Sequence, residues 1–280
     1  MALVIPKSLT PDFSVKGRKP TGPAEVDLDS KFINRGVVLS WLGRNDSVLG
    51  GVYARDKFTT NIINANTTIN HRGINRTDGT TGYLESAAGT YSNSAISEFT
   101  IVMSIGVNSS IARGVYSQGG SSSAAGNFDL AIVNGKLRLR TYVDGGAGRQ
   151  TFNATKNIRN GLNKSKVVIS RNLDGDIFFL FGDGTIETFS GDSGTLTGAQ
   201  SSRVRRLFSE ADGAQLAFGG IDYFHLIEGA ASVQQAKSLI RDPHQILRPI
   251  VLPLIPVEVG ASTFQPSWAY RTNKLYGAGF

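Results

Sequence analysis

Residues Asn172 to Glu187 read NLDGDIFFLFGDGTIE. An apolar run, Ile177 to Phe181, stands between two Asp-Gly pairs, Asp174-Gly175 and Asp183-Gly184. Asp-Gly is turn chemistry: Gly accepts φ > 0 without a Cβ clash, and Asp can hydrogen-bond its own backbone. The stretch therefore reads as turn, buried strand, turn. The competing reading is a calcium loop in which Asp174, Asp176 and Asp183 supply oxygen ligands. An EF-hand loop needs Gly at its sixth position, and counting from Asn172 that position holds Ile177. The hairpin reading is preferred. No cofactor is expected, and a weak Ca2+ site in these loops is kept as the alternative.

The same grammar extends in both directions. FDLAIVNGKLRLRTYV, residues 128–143, alternates apolar and polar on both sides of Asn134-Gly135, the signature of a type I′ hairpin. SEFTIVMSIGV (97–107) is a strand with Phe99, Ile101 and Met103 on one side. FINRGVVLSWLG, KSKVVISRN and AQLAFGGIDYFHLIEG are further strand segments, and His225 alternates within the last as a half-buried position. TTNIINANTTINHRGINRTDGTTG (59–82) is polar and reads as short edge strands with loops or as one long surface loop. One helix is expected, in SVQQAKSLIRDPHQIL, with Ser232 as its cap and Pro243 at its end or at a break to a second short turn. About ten to fourteen short strands, one late helix and no βαβ alternation point to an all-β antiparallel sandwich.

The 280 residues, 40% of them hydrophobic, can bury a sizeable core, and 33 Gly suit many tight turns. The absence of Cys excludes disulfides, thiolate metal sites and a Cys nucleophile. No apolar run reaches the roughly 18 residues of a membrane-spanning helix, so no membrane span is expected. MALVIPKSLTPDF is broken by Pro6 and lacks a basic start, so no signal peptide is read and folding in a cytoplasm is expected. The net charge is +7, but basic residues are scattered apart from Arg203, Arg205 and Arg206, so nucleic acid is not expected as a partner.

Proline divides the chain. Pro6, Pro11, Pro20 and Pro23 mark residues 1–31 as an extended N-terminal arm, and Pro249, Pro253, Pro256 and Pro266 mark residues 246–280 as an extended tail. Residues 32–245 are left as the sandwich. The ends carry Leu3, Ile5, Phe13, Ile250, Leu252, Leu254 and Trp268, apolar surface that an unpaired chain does not leave in water. These residues are expected to act in assembly, buried against another copy in a homo-oligomer or against another protein, with packing of both ends back on their own sandwich as the alternative.

The order of segments resembles the concanavalin A-like jelly roll in its laminin-G-like form. FTIVMSIGV, then FDLAIVNGKLRLRTYV, then KVVISRNLDGDIFFLFGDGT, then LAFGGIDYFHLIEGAASVQQAKSLIRDP follow that family's sequence of strand, hairpin, strand pair, and strand pair with helix. The resemblance covers about residues 32–245. PKSLTPDFSVKGRKPTGPAEVD and DPHQILRPIVLPLIP look like the flanks of laminin-G-like proteins of tailed bacteriophages. Asp242 to Leu247 stand where those proteins carry an NPWQLF-like segment, with its Asn and Trp replaced. The resemblance implies a non-enzymatic virion structural protein, assembled in the host cytoplasm among other virion proteins. A tail-tip or fibre-associated position with host-surface glycan binding is the first expectation, and a capsid decoration protein is the alternative. A glycan-active enzyme on the same fold is a further alternative.

Candidate sites follow from that choice. β-Glucanases of the superfamily use Glu-x-Asp-x-x-Glu, and the nearest match, Glu25, Asp27 and Asp29, ends in Ser30 within the arm, so no catalytic residue is assigned. No G-x-S-x-G elbow supports a Ser-His-Asp triad, and GGSSSAAGN lacks the Lys of a phosphate loop. Sugar recognition uses aromatic faces with Asn and Asp in loops. Tyr53, His71, Tyr83, Tyr91 and Tyr116, in or beside polar loops, are the carbohydrate-binding candidates.

Overall fold

The fold was obtained as a computed structural model that describes residues 37–42, 53–56, 62–65, 67–70, 73–76, 83–86, 97–107, 113–118, 128–143, 149–158, 164–194, 196, 205–207 and 219–247. The strands are β1 Val37–Leu42, β2 Tyr53–Asp56, β3 Ile62–Ala65, β4 Thr67–Asn70, β5 Gly73–Arg76, β6 Tyr83–Ser86, β7 Phe99–Val107 and β8 Arg113–Gln118. They continue with β9 Phe128–Val133, β10 Lys136–Tyr142, β11 Arg149–Asn157, β12 Ser165–Arg171, β13 Ile177–Phe181, β14 Ile186–Phe189, β15 Arg205–Leu207 and β16 Gly219–Glu228. Helix α1, Val233–Arg241, and a 3-10 turn, Pro243–Leu247, follow. The polar stretch 59–82 supplies three of these strands, β3 to β5, so the described residues hold more strands than expected.

One sheet runs β14-β13-β12-β7-β16-β1-β2, with the β4-β5 hairpin joined through β5 to β16. The other runs β11-β10-β9-β8-β15-β6-β3. The pairings are antiparallel. The chain is an antiparallel β-sandwich of the jelly-roll type.

Period-2 alternation decides which side chains meet. Phe99, Ile101 and Met103 of β7 enter the core between the sheets, as their spacing predicts, with Val167, Ile169, Phe179, Phe224, Leu130 and Leu139. Val102, Val168, Leu180, Tyr223 and Ile227 point the other way, into a second cluster with Ala236 and Leu239 of α1 and with Ile246 and Leu247. The helix therefore lies on the outer face of the first sheet. Its start is a capping box: Ser232 Oγ accepts from Gln235 N at 3.2 Å, and Gln235 Oε1 accepts from Ser232 N at 2.8 Å. Ile246 and Leu247 are fully buried, so the packed body extends beyond the expected boundary at residue 245.

The turns are the ones their residues demand. Asn134 (φ 52°) and Gly135 (φ 74°) form the two-residue link between Val133 and Lys136, with both φ positive as type I′ requires. Gly184 (φ 91°) donates N–H to Phe181 O at 2.9 Å and closes the β13-β14 turn.

Candidate functional site

The opening stretch is a structural hairpin whose first loop is built on its own backbone. Asn172 Oδ1 accepts from Asp176 N at 2.8 Å, Asn172 N donates to Asp176 O at 3.1 Å, and Gly175 N donates to Asn172 O at 3.2 Å. Gly175 has φ 87°, and its carbonyl accepts from Gly191 N at 3.1 Å. Beneath it, the buried guanidinium of Arg171 donates to the carbonyls of Ser97 at 2.6 Å, Asp192 at 2.9 Å and Gly194 at 3.3 Å. Burial lowers the Arg171 pKa, opposed by the nearby charges of Asp192 and Glu98. This clamp fixes the loops at one end of β12 and β13.

A cleft of about 370 Å³ opens on the helix side of that end. Phe178 and Ala231 line it, with Asn172, Asp176, Thr188 and Ser190 around them. Phe178 stands opposite Thr188 in the β13-β14 ladder. It is half-buried, packing against the cluster under α1 while keeping part of its ring accessible. Asp176, Thr188 and Ser190 are exposed. An aromatic ring, a carboxylate, an amide and hydroxyls thus converge on one concave surface. Sequence reading places Phe178 inside the buried run IFFLF, whereas the structure leaves it only partly buried.

A second cleft, about 470 Å³, lies at the other end of β12 and β13. Lys156 of β11, Lys164 and Lys166 beside and in β12, Asp183, and Ile240 and Arg241 at the end of α1 line it. Lys164 Nζ sits 2.8 Å from Asp222 Oδ1, and Lys156 pairs with Asp183. The Lys156 hydrogen bond, with a smaller contribution from Thr185 N, pulls the Asp183 carboxyl down to about 2. Lys166 Nζ reaches Ile240 O at 3.5 Å.

These positions bear on two sets of sequence candidates. Asp174 and Asp176 stand before β13 and Asp183 after it, so the length of the strand keeps the three from sharing one ion. Asp183 is already engaged by Lys156, and among the described residues no three His, Asp or Glu side chains gather as metal ligands. Tyr116 is no sugar platform either. It is fully buried, its ring stacks on Phe224 at 4.6 Å, and its hydroxyl donates to Gln118 Oε1 at 3.1 Å. The β8-β9 register shifts between Gly114 and Tyr116, a bulge that sends Val115 and Tyr116 both into the core.

Tyr53 opens β2 and Tyr83 opens β6, in different sheets. His71 and Tyr91 lie outside the described residues, as do Glu25, Asp27, Asp29 and all the assembly residues: Leu3, Ile5, Phe13, Ile250, Leu252, Leu254 and Trp268. His225 is fully buried rather than half-buried. Its Nε2 lies 3.4 Å from His244 Nδ1 and Tyr223 packs on both rings, so the pair belongs to the core where β16 meets the 3-10 turn Pro243–Leu247.

No protein-family model and no curated protein matches this sequence. Solved structures do match the fold. The binding domain of botulinum neurotoxin DC in complex with SialylT matches at 12% identity over 73% of this chain, with a TM-score of 0.52. The serotype D toxin binding domain matches at 12% identity over 73% of this chain, with a TM-score of 0.50. The matched region spans about half of each toxin chain, 50% and 51%. Ruminococcus gnavus IT-sialidase CBM40 bound to alpha2,3 sialyllactose matches at 16% identity over 53% of this chain and 84% of that one, with a TM-score of 0.44.

Proposed function

We propose that the chain is a non-catalytic, glycan-binding sandwich that seats a sugar ring on Phe178. The observation that carries this reading is the convergence of the partly buried Phe178 with Asn172, Asp176, Thr188 and Ser190 in one cleft. A sugar has an apolar face of C–H groups that suits an aromatic ring, and hydroxyls that suit a carboxylate, an amide and side-chain hydroxyls. Asn172 Oδ1 is held by Asp176 N, which leaves its amide N–H groups to donate. The sandwich shared with the toxin domain seen with SialylT is the frame for this reading, and the cleft is its ground.

On the resemblance of its flanks, we place the sandwich on a tailed-phage virion, at a tail tip or fibre, with Leu3, Ile5, Phe13, Ile250, Leu252, Leu254 and Trp268 engaging neighbouring subunits or other virion proteins. Antibody-gold labelling of intact particles tests the location. Label on the tail supports it, label over the capsid makes the protein a decoration protein, and unlabelled particles remove the virion reading.

Glycan-array binding by the wild type, Phe178→Leu and Asp176→Ala tests the site. Phe178→Leu keeps apolar packing against α1 but removes the π face, and Asp176→Ala removes an exposed acceptor. Each is expected to weaken binding about tenfold or more, the worth of roughly one good contact. Unchanged binding by both folded variants would move the sugar site elsewhere.

A further inference from the structure

We infer that the glycan is anionic, and that its carboxylate or sulfate groups enter the cleft between the end of α1 and strands β11 and β12. This rests on the reading of the Phe178 cleft as the sugar site. Phe178 and Gly182 bound the same strand and its turn, about 13 Å apart at the usual strand rise, and each lines one of the two clefts. Between them the edge strand β14 presents exposed Ile186 and Thr188. A linear polysaccharide lying along this edge reaches both clefts at once.

The second cleft is lined by four cations, Lys156, Lys164, Lys166 and Arg241, and by one carboxylate, Asp183. Asp183 offsets Lys156, and Asp222 offsets Lys164. Among the described residues, Lys166 has only the Ile240 carbonyl and Arg241 has no carboxylate partner. Two positive charges therefore remain in a concave surface, where field lines focus on an incoming anion. The Lys164 side chain is only 7% exposed, so the cationic wall is partly fixed before any ligand arrives. Arginine and lysine side by side suit the oxygens of sulfate and carboxylate.

The test compares dextran sulfate with neutral dextran by titration calorimetry on the full chain at about 0.15 M salt, where long-range attraction is screened. Lys166→Glu/Arg241→Glu alters the cleft. Lys136→Glu/Arg149→Glu makes the same change of net charge at exposed positions that do not line it. The expected result is binding of dextran sulfate by the wild type, weakened about tenfold or more by the cleft double variant and less than about threefold by the distant one. Equal weakening by both doubles shows attraction by net charge alone and overturns the inference, as does no binding of dextran sulfate by the wild type. Phe178→Leu separates the two readings. If it binds dextran sulfate as the wild type does while the cleft variant does not, the aromatic platform falls and the anion cleft stands alone.

Discussion

Glu187 of β14 holds Thr155 of β11 across the open edge of the sandwich. Its Oε2 accepts from Thr155 N at 2.7 Å and its Oε1 from the Thr155 hydroxyl at 2.9 Å, while Lys156 N donates to Oε1 at 2.8 Å. β14 ends one sheet and β11 ends the other. A single carboxylate thus satisfies two neighbouring N–H groups on an edge that would otherwise invite another strand. Glu187→Ala should lower unfolding stability by about 1–2 kcal/mol, since these bonds are charge-assisted but partly exposed. Glu187→Gln should lose less. Denaturant melts measure both, and an alanine variant as stable as the wild type would mean that the two edges are held by packing alone.

Two glycines with similar φ should respond very differently to Ala. A Cβ on Gly175 (φ 87°) would sit 2.5 Å from the carbonyl oxygens of Asp192 and Gly191, whereas one on Gly184 (φ 91°) would meet nothing within 4 Å. Gly184→Ala should cost about 1–2 kcal/mol from backbone strain alone. Gly175→Ala should cost several kcal/mol more in the same assay, because fixed backbone must move. Equal costs would mean that the 190–194 loop is not seated on this hairpin.

Acid should weaken the Asp183–Lys156 contact with a defined sign. The folded carboxyl is depressed to about 2, below the ordinary value near 3.9. Its contribution is therefore complete above about pH 4 and disappears as pH falls toward about 2. The stability-versus-pH curve of Asp183→Asn should lie below the wild type at neutral pH and converge with it at the acid end. Parallel curves across that window would assign the acid sensitivity to other groups.

Calcium should leave folding unchanged. Asp174 and Asp176 are separated from Asp183 by the whole of β13. An ion that binds only the native state raises its stability by mass action, so melting in millimolar calcium and in chelator should agree within about a degree or two. A larger drop in chelator would require a site among residues the structure does not describe.

A chain ending at Leu247 should melt close to the full-length protein, and one ending at Gln245 well below it. The shorter chain loses the fully buried Ile246 and Leu247. Each contributes about 1.5–3 kcal/mol of apolar burial. Similar melting of the two truncations would place the limit of the packed body where proline spacing first puts it, at residue 245.

Much of this fold is legible locally, because turns and caps depend on residues next to one another. Asn134-Gly135 adopts its two positive φ values, Asp183-Gly184 turns where expected, and Ser232 caps α1 with Gln235. A backbone dihedral is set mainly by a residue's own side chain and its neighbours, so these features can be read one segment at a time. The face that carries the candidate site could not be. Glu187 meets Thr155 from 32 residues away and Arg171 meets Ser97 from 74. Lys156, Lys164 and Arg241 become neighbours only because β11, β12 and α1 converge at one end of the sandwich. Tyr116 turns inward through a bulge in its pairing with β9, which its own alternation does not announce. Strand adjacency, bulges and the seat of a helix come from closing the whole core at once, where the best packing of distant segments overrides the preference of any one of them.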